Sequence, residues 1–161
     1  MKQDRFLLGI LVGIGILVLI AVGLFFTRQD TQEYRVDNTP EGVVHNYALA
    51  LYRGDHEKAY SYLADDENKP TYNDFRESFF NQYIDPSNVG LEIGEAKIDG
   101  DRAFVVLHLI YSPSDPFSSG YRGTETARLE LQGGEWKILQ MPYNFWDYSW
   151  YEPTPIPIPV K

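Results

Sequence analysis

Three hydrophobic patterns follow one another along the chain. Residues 6–26 are apolar throughout: sixteen are Leu, Ile, Val or Phe and the other five are Gly or Ala. As a helix rising about 1.5 Å per residue, the run reaches about 31 Å, matching a hydrocarbon core of about 30 Å. A helix that is apolar on every face has no side to turn towards water, so a bilayer span is predicted. From residue 39 the apolar positions recur at helical spacing, and from residue 89 they alternate as in strands.

The competing reading of the first segment is a cleaved secretory signal, since Ala21-Val22-Gly23 follows the basic residues Lys2 and Arg5. The apolar run continues through Leu24, Phe25 and Phe26, which exceeds the usual length of a signal core. The chain has no Cys, so a lipid-modified N-terminal cysteine is excluded. Basic residues are nearly balanced across the span, with Lys2 and Arg5 before it and Arg28 and Arg35 after it. Leaving out Lys2, Asp4 and Arg5, the remainder carries 12 basic and 22 acidic side chains, a net charge of −10. Such a surface has no electrostatic reason to lie against an anionic inner leaflet. The expected arrangement is an N-terminus in the cytoplasm and a C-terminal domain outside it. Gly9 and Gly13 form a Gly-x-x-x-Gly pair through which two such helices can approach closely.

Residues 27–38 are polar and aperiodic and read as a tether. Thr39-Pro40 is an N-cap followed by proline at the first helical position. Val43, Val44, Tyr47, Ala48 and Leu51 then recur at helical spacing, and Gly54 suits the end of that helix. Asp55 caps a second predicted helix running to about Ala64. Thr71 with Asp74 resembles a capping box opening a third, from Tyr72 to about Tyr83. Four strands follow, over 89–98, 102–111, 121–132 and 135–141. The second is rich enough in Val, Leu and Ile to predict cover on both faces. Gly133-Gly134 is a hairpin signal. Residues 112–120, with two prolines, form the longest predicted loop.

The predicted organisation is a tail (1–5), a transmembrane helix (6–26), a tether (27–38), one α+β domain (39–152) and a proline-rich tail (153–161). The domain would pack three helices on a curved, mainly antiparallel four-stranded sheet. Its 12 Tyr, 9 Phe and 3 Trp supply core area for so small a unit. The acidic balance argues against a nucleic-acid partner.

The run Thr39-Pro40-Glu41-Gly42-Val43-Val44, then Tyr47 to Leu51, Gly54-Asp55 and Ala59-Tyr60, resembles the opening of nuclear-transport-factor-2-like domains. Gly123 to Thr126 and Gly134 to Ile138 are similar to the last hairpin of bacterial members of that superfamily. The resemblance spans about residues 39–141 and implies a cone-shaped, cystatin-like α+β domain that often encloses a pocket. It also implies a setting, since several bacterial versions are single-span envelope proteins, among them a type IV secretion component and the N-terminal domain of some penicillin-binding proteins. It specifies fold and not activity.

Enzymes of that superfamily place Asp, Tyr or His inside the cone, but none of their site motifs is matched here, and no catalytic residue, metal or cofactor is expected. The pocket candidates are His108, in the middle of an apolar strand, with Tyr47, Tyr60 and Tyr83 on helix faces. His45 and His56 lack metal-ligand spacing. Tyr143, Phe145, Trp146, Tyr148, Trp150 and Tyr151 fall within nine residues. They either pack across the cone, form a docking strip for a protein partner, or sit at the membrane interface. The sequence thus predicts a membrane-anchored envelope protein with a non-catalytic interaction domain, its partners the bilayer and a protein or a second copy. A small apolar or amphipathic ligand in the cone is the alternative, and an acid–base enzyme, which needs His108 or a buried carboxylate facing an accessible pocket, ranks third.

Overall fold

A computed structural model describes residues 3–27, 32–111 and 120–151. It comprises two units, residues 1–33 and 34–161. The first is helix α1, Gln3–Thr27. Among its described side chains, Leu7 to Leu24 stay open to the surroundings, and the helix is long and apolar enough to cross a membrane. An N-terminal signal sequence has the same character.

The second unit is α+β. Helices α2 (Pro40–Tyr52), α3 (His56–Ser61) and α4 (Tyr72–Phe80) precede strands β1 (Val89–Asp99), β2 (Arg102–Tyr111), β3 (Tyr121–Gln132) and β4 (Glu135–Gln140). The strands form one antiparallel sheet in the order β1-β2-β3-β4. All three caps act as predicted: Thr39, Asp55 and Thr71 accept from the backbone N–H groups of Gly42, Lys58 and Asp74. Gly133 and Gly134 take φ of 59° and 87°, the positive pair that a tight hairpin requires.

Helix ends fall short of the predicted ones where tertiary bonds compete. The second helix stops at Ser61 rather than Ala64, because Tyr62 to Ala64 run beside β4. There Ile138 N–H donates to the Tyr62 carbonyl at 2.8 Å, and Ala64 N–H donates to the Ile138 carbonyl at 2.9 Å. This covers one sheet edge. The third helix stops at Phe80 rather than Tyr83: Gln82 turns to φ 58°, and the Ile84 N–H closes on the Ser78 carbonyl as Ile84 becomes buried. At the other sheet edge, Glu41 accepts from the Ala96 N–H at 2.9 Å, beside a bulge between Ile93 and Ala96. Gly94 lies in that bulge, where a Cβ would come within 3.1 Å of the Val106 carbonyl oxygen.

The domain begins earlier than residue 39. Asn46, almost fully buried, accepts from the Arg35 N–H at 2.7 Å and donates to the Arg35 carbonyl at 2.8 Å. Asn38 likewise links to the Gly134 carbonyl and the Trp136 N–H. Residues 34–38 are therefore bonded into the domain, and the tether is shorter than the polar composition suggested.

The prediction that β2 is covered on both faces is overturned. Ala103, Val105, Leu107 and Leu109 are buried, whereas Phe104, Val106 and Ile110 are each 36–37% exposed. The residues on the inner face meet Val44, Tyr47 and Leu51 of α2, Phe75 of α4, and a second layer from the C-terminal strip. In that layer Phe145, Trp146 and Trp150 are buried, while Tyr143 and Tyr148 remain exposed. Trp150 lies 5.0 Å from Phe75 between ring centroids, and Trp146 lies 6.4 Å from Tyr47. The Tyr47 hydroxyl donates to the Phe145 carbonyl at 2.7 Å, and Tyr151 donates to the Ala64 carbonyl at 2.6 Å.

This division of the strip is testable by urea unfolding of the chain in detergent. Trp150→Ala should cost about 3–5 kcal/mol as a large ring leaves a packed site, and Tyr148→Ala should stay within about 0.5 kcal/mol. Tyr47→Phe should cost about 1–3 kcal/mol, because the buried Phe145 carbonyl would lose its donor.

Candidate functional site

Strand parity decides the fate of His108. It alternates with the buried residues of β2 and therefore lies on the outer sheet face, away from the helices. Its Nδ1 sits 3.1 Å from the Thr124 hydroxyl, and Glu92 is its partner on β1. His108 is thus not an interior pocket residue. Tyr47 is fully buried with its hydroxyl committed to Phe145, and that burial pushes its phenol well above the usual range. Tyr60 donates to the Pro70 carbonyl at 2.8 Å, and Tyr83 points outward, 79% exposed. The four predicted pocket residues are not brought together, because the space they were to line holds the rings of Phe145, Trp146 and Trp150. Those three rings are, for the same reason, not an exposed docking strip. The predicted loop at 112–119 and the tail from 152 lie outside the described residues.

The inner face does open at one end. The odd-numbered positions of β3 face the helices where Ala127 and Leu129 are buried, but Tyr121 and Glu125 on the same side are exposed. With Leu109, Tyr111, Gly123, Thr124 and Tyr143 they line a pocket. The Tyr111 and Tyr121 ring centroids are 5.8 Å apart, inclined at 36°. Tyr111 donates to Asn144 Oδ1 at 2.9 Å and meets the Tyr143 hydroxyl at 3.2 Å. Burial, the Tyr143 hydroxyl and the charge of Glu125 raise the Tyr111 phenol to about 12. Sequence reasoning missed this site, although a signal was present. A strand face that turns from Ala127 and Leu129 to Glu125 and Tyr121 marks where its cover ends.

A second groove lies between α3 and the end of α4, lined by Tyr52, His56, Phe79, Phe80 and Ile84 among others. The His56 ring is 5.2 Å from Phe79 and 5.8 Å from Phe80, and its Nδ1 is buried with no hydrogen-bond partner. Nothing local in sequence links residues 56 and 80, so the helix packing alone creates this environment.

No family model and no curated protein matches the chain. Solved structures similar in fold include a SEC-C motif containing protein from Rhodopseudomonas palustris, with 14% identity, 66% of this chain and 79% of that chain covered, and a TM-score of 0.47. An uncharacterized cystatin fold protein from Novosphingobium aromaticivorans is 14% identical over 62% of this chain and 97% of its own, at a TM-score of 0.42. An NTF2-like protein of unknown function from Pseudomonas putida is 18% identical over 60% and 77%, at 0.41. The described domain, three helices followed by a four-stranded antiparallel sheet, has the α+β architecture that the residue resemblance implied. Likeness at this level assigns no activity.

The His56 groove sets a pH dependence. Burial lowers its pKa below the ordinary 6.5, Arg76 lowers it further, and Asp55 partly opposes this. Between that lowered value and 6.5 the unfolded chain binds more protons than the folded one. Stability therefore rises with pH across this window and is lost as pH falls through it. Thermal unfolding followed between pH 7.5 and 5.5 (a range set by the ordinary histidine value) should show a falling Tm, and His56→Phe should flatten that slope. Asp37, Asp65 and Asp85, held below the usual carboxylate value by hydrogen bonds, act in a separate and more acidic range.

Proposed function

We propose that this chain is a single-pass, membrane-anchored envelope protein whose NTF2-like domain is a non-catalytic interaction module outside the cytoplasm, with a second copy of itself as partner. The observation that carries the reading is the outer face of the sheet. Phe104, Val106 and Ile110 form an apolar line along β2, flanked at Phe104 by Lys97 and Arg128 and at His108 by Glu92. Lys97 has no ion pair among the described residues. An exposed apolar line rimmed by charge suits association better than solvation alone.

The pattern is self-complementary. A two-fold axis crossing the strands at Val106 lays Lys97 of one copy over Glu92 of the other, a carboxylate that Arg122 of its own chain also reaches at 3.2 Å, and brings the two Val106 side chains together. Burial of the apolar line supplies the attraction, and the crossed charges set the register. The open face at Gly9 and Gly13 of α1 is compatible with the same self-association. The middle of the interior is filled by the domain's own rings, so recognition falls to the open end of the inner face and to the sheet exterior.

Because the chain has no cysteine, a single introduced thiol tests the axis. Val106→Cys in the full-length protein should give a disulfide-linked dimer on mild oxidation. Ile110→Cys, about 13 Å along the strand from the axis, should give almost none. Equal yields from both variants, or none from Val106→Cys, would remove the proposed dimer. A reporter active only outside the cytoplasm, fused after Lys161, should be active; activity only of a cytoplasmic reporter would reverse the topology.

A further inference from the structure

We propose that the pocket between Tyr111, Tyr121 and Tyr143, with Gly123 and Glu125 on its wall, binds an organic ammonium ion, the chemistry shared by a lysine side chain and a choline-type head group. These residues belong to the inner-face end of the sheet, so the site is separate from the outer face assigned to self-association.

Ligand charge follows from the lining. Three tyrosines line one small space, Tyr111 and Tyr121 as a tilted ring pair 5.8 Å apart and Tyr143 with its hydroxyl 3.2 Å from that of Tyr111, and an aromatic lining favours a cation over a neutral group of the same size. Among the described residues, Glu125 is the lining carboxylate and has no ion pair, and no Lys or Arg contributes to the wall. The nearby Arg122 lies on the opposite sheet face, paired with Glu92 at 3.2 Å. An anion would thus meet the Glu125 carboxylate with no described lining cation to offset it, and the net charge of −9 for the chain adds a field that attracts cations.

Space and rigidity follow from two further details. A Cβ on Gly123 would sit 3.5 Å from Tyr121 Cε1 and 4.0 Å from Tyr111 Cε2, in contact with both rings, so a branched side chain there would take space on the pocket wall that glycine leaves free. Tyr111 is held by Asn144 and Tyr143, which fixes one ring before any ligand arrives. Leu109 provides an apolar surface for the methyl or methylene groups of the ion.

The test uses the full chain in an uncharged maltoside detergent, titrated calorimetrically with three probes. These are choline, its neutral isostere 3,3-dimethylbutan-1-ol, and Nα-acetyl-lysine methylamide. At least one ammonium probe should bind saturably and the neutral alcohol should not. Tighter binding of choline identifies a head group as the source, and tighter binding of the lysine amide identifies a protein side chain. Glu125→Gln should weaken the better probe by about fivefold or more. Gly123→Val should abolish binding while far-UV circular dichroism shows the domain still folded. If Gly123→Val does not fold, Tyr121→Ala replaces it, with the same loss expected. Equal binding of the alcohol, no saturation by either ammonium probe, or unchanged binding in Glu125→Gln would overturn the proposal.

Discussion

The inner face of the sheet is longer than the helices available to cover it, and the rest of the domain answers to that mismatch. A ten-residue strand such as β2 extends about 34 Å, whereas the thirteen residues of α2 make a rod of about 20 Å, and α3 and α4 are shorter still. Apolar residues on an uncovered face would stand in water at about 25 cal/mol per Å². The C-terminal strip closes most of the gap. After Gln140 the chain leaves the sheet and buries Phe145, Trp146 and Trp150, with Trp146 beside Tyr47 and Trp150 beside Phe75.

That solution has two consequences for recognition. The space that could have been a central pocket is filled by rings whose nearby polar groups are also satisfied, as in the bond from Tyr47 to the Phe145 carbonyl. Cover ends before the sheet does, so Tyr111, Tyr121 and Glu125 sit at an open rim where aromatic faces and a carboxylate meet solvent. Binding chemistry is displaced from the middle of the fold to its edge and exterior. The sheet's own edges are protected by other means, with Tyr62 to Ala64 beside β4 and Glu41 on the bulged β1.

Electrostatics acts mainly on the surface of this protein. Among the described residues each ion pair has an exposed carboxylate, and the one exposed on both sides, Arg122 with Glu92, contributes little to stability. The buried polar groups are instead matched to backbone: Asn46 with Arg35, and Tyr47 with Phe145. His56 is the exception, with an unsatisfied Nδ1 among phenylalanine rings, and it ties part of the domain's stability to pH near neutrality.

The apolar run at 6–26, the three helix caps, the hairpin at Gly133-Gly134 and the α+β order were legible in the sequence, because each depends on spacing or on chemistry within a few residues. Thr39, Asp55 and Thr71 cap helices whatever those helices later touch. What lies on either side of a strand is not local. The apolar richness of β2 suggested two covered faces, and only the position of the helices and strip showed that Phe104, Val106 and His108 look outward. Likewise, composition could mark residues 143–151 as unusual but could not sort Trp150 from Tyr148, since burial is set by what packs against a ring from sixty or more residues away. Periodicity names the faces of an element; tertiary packing alone decides which of them is covered.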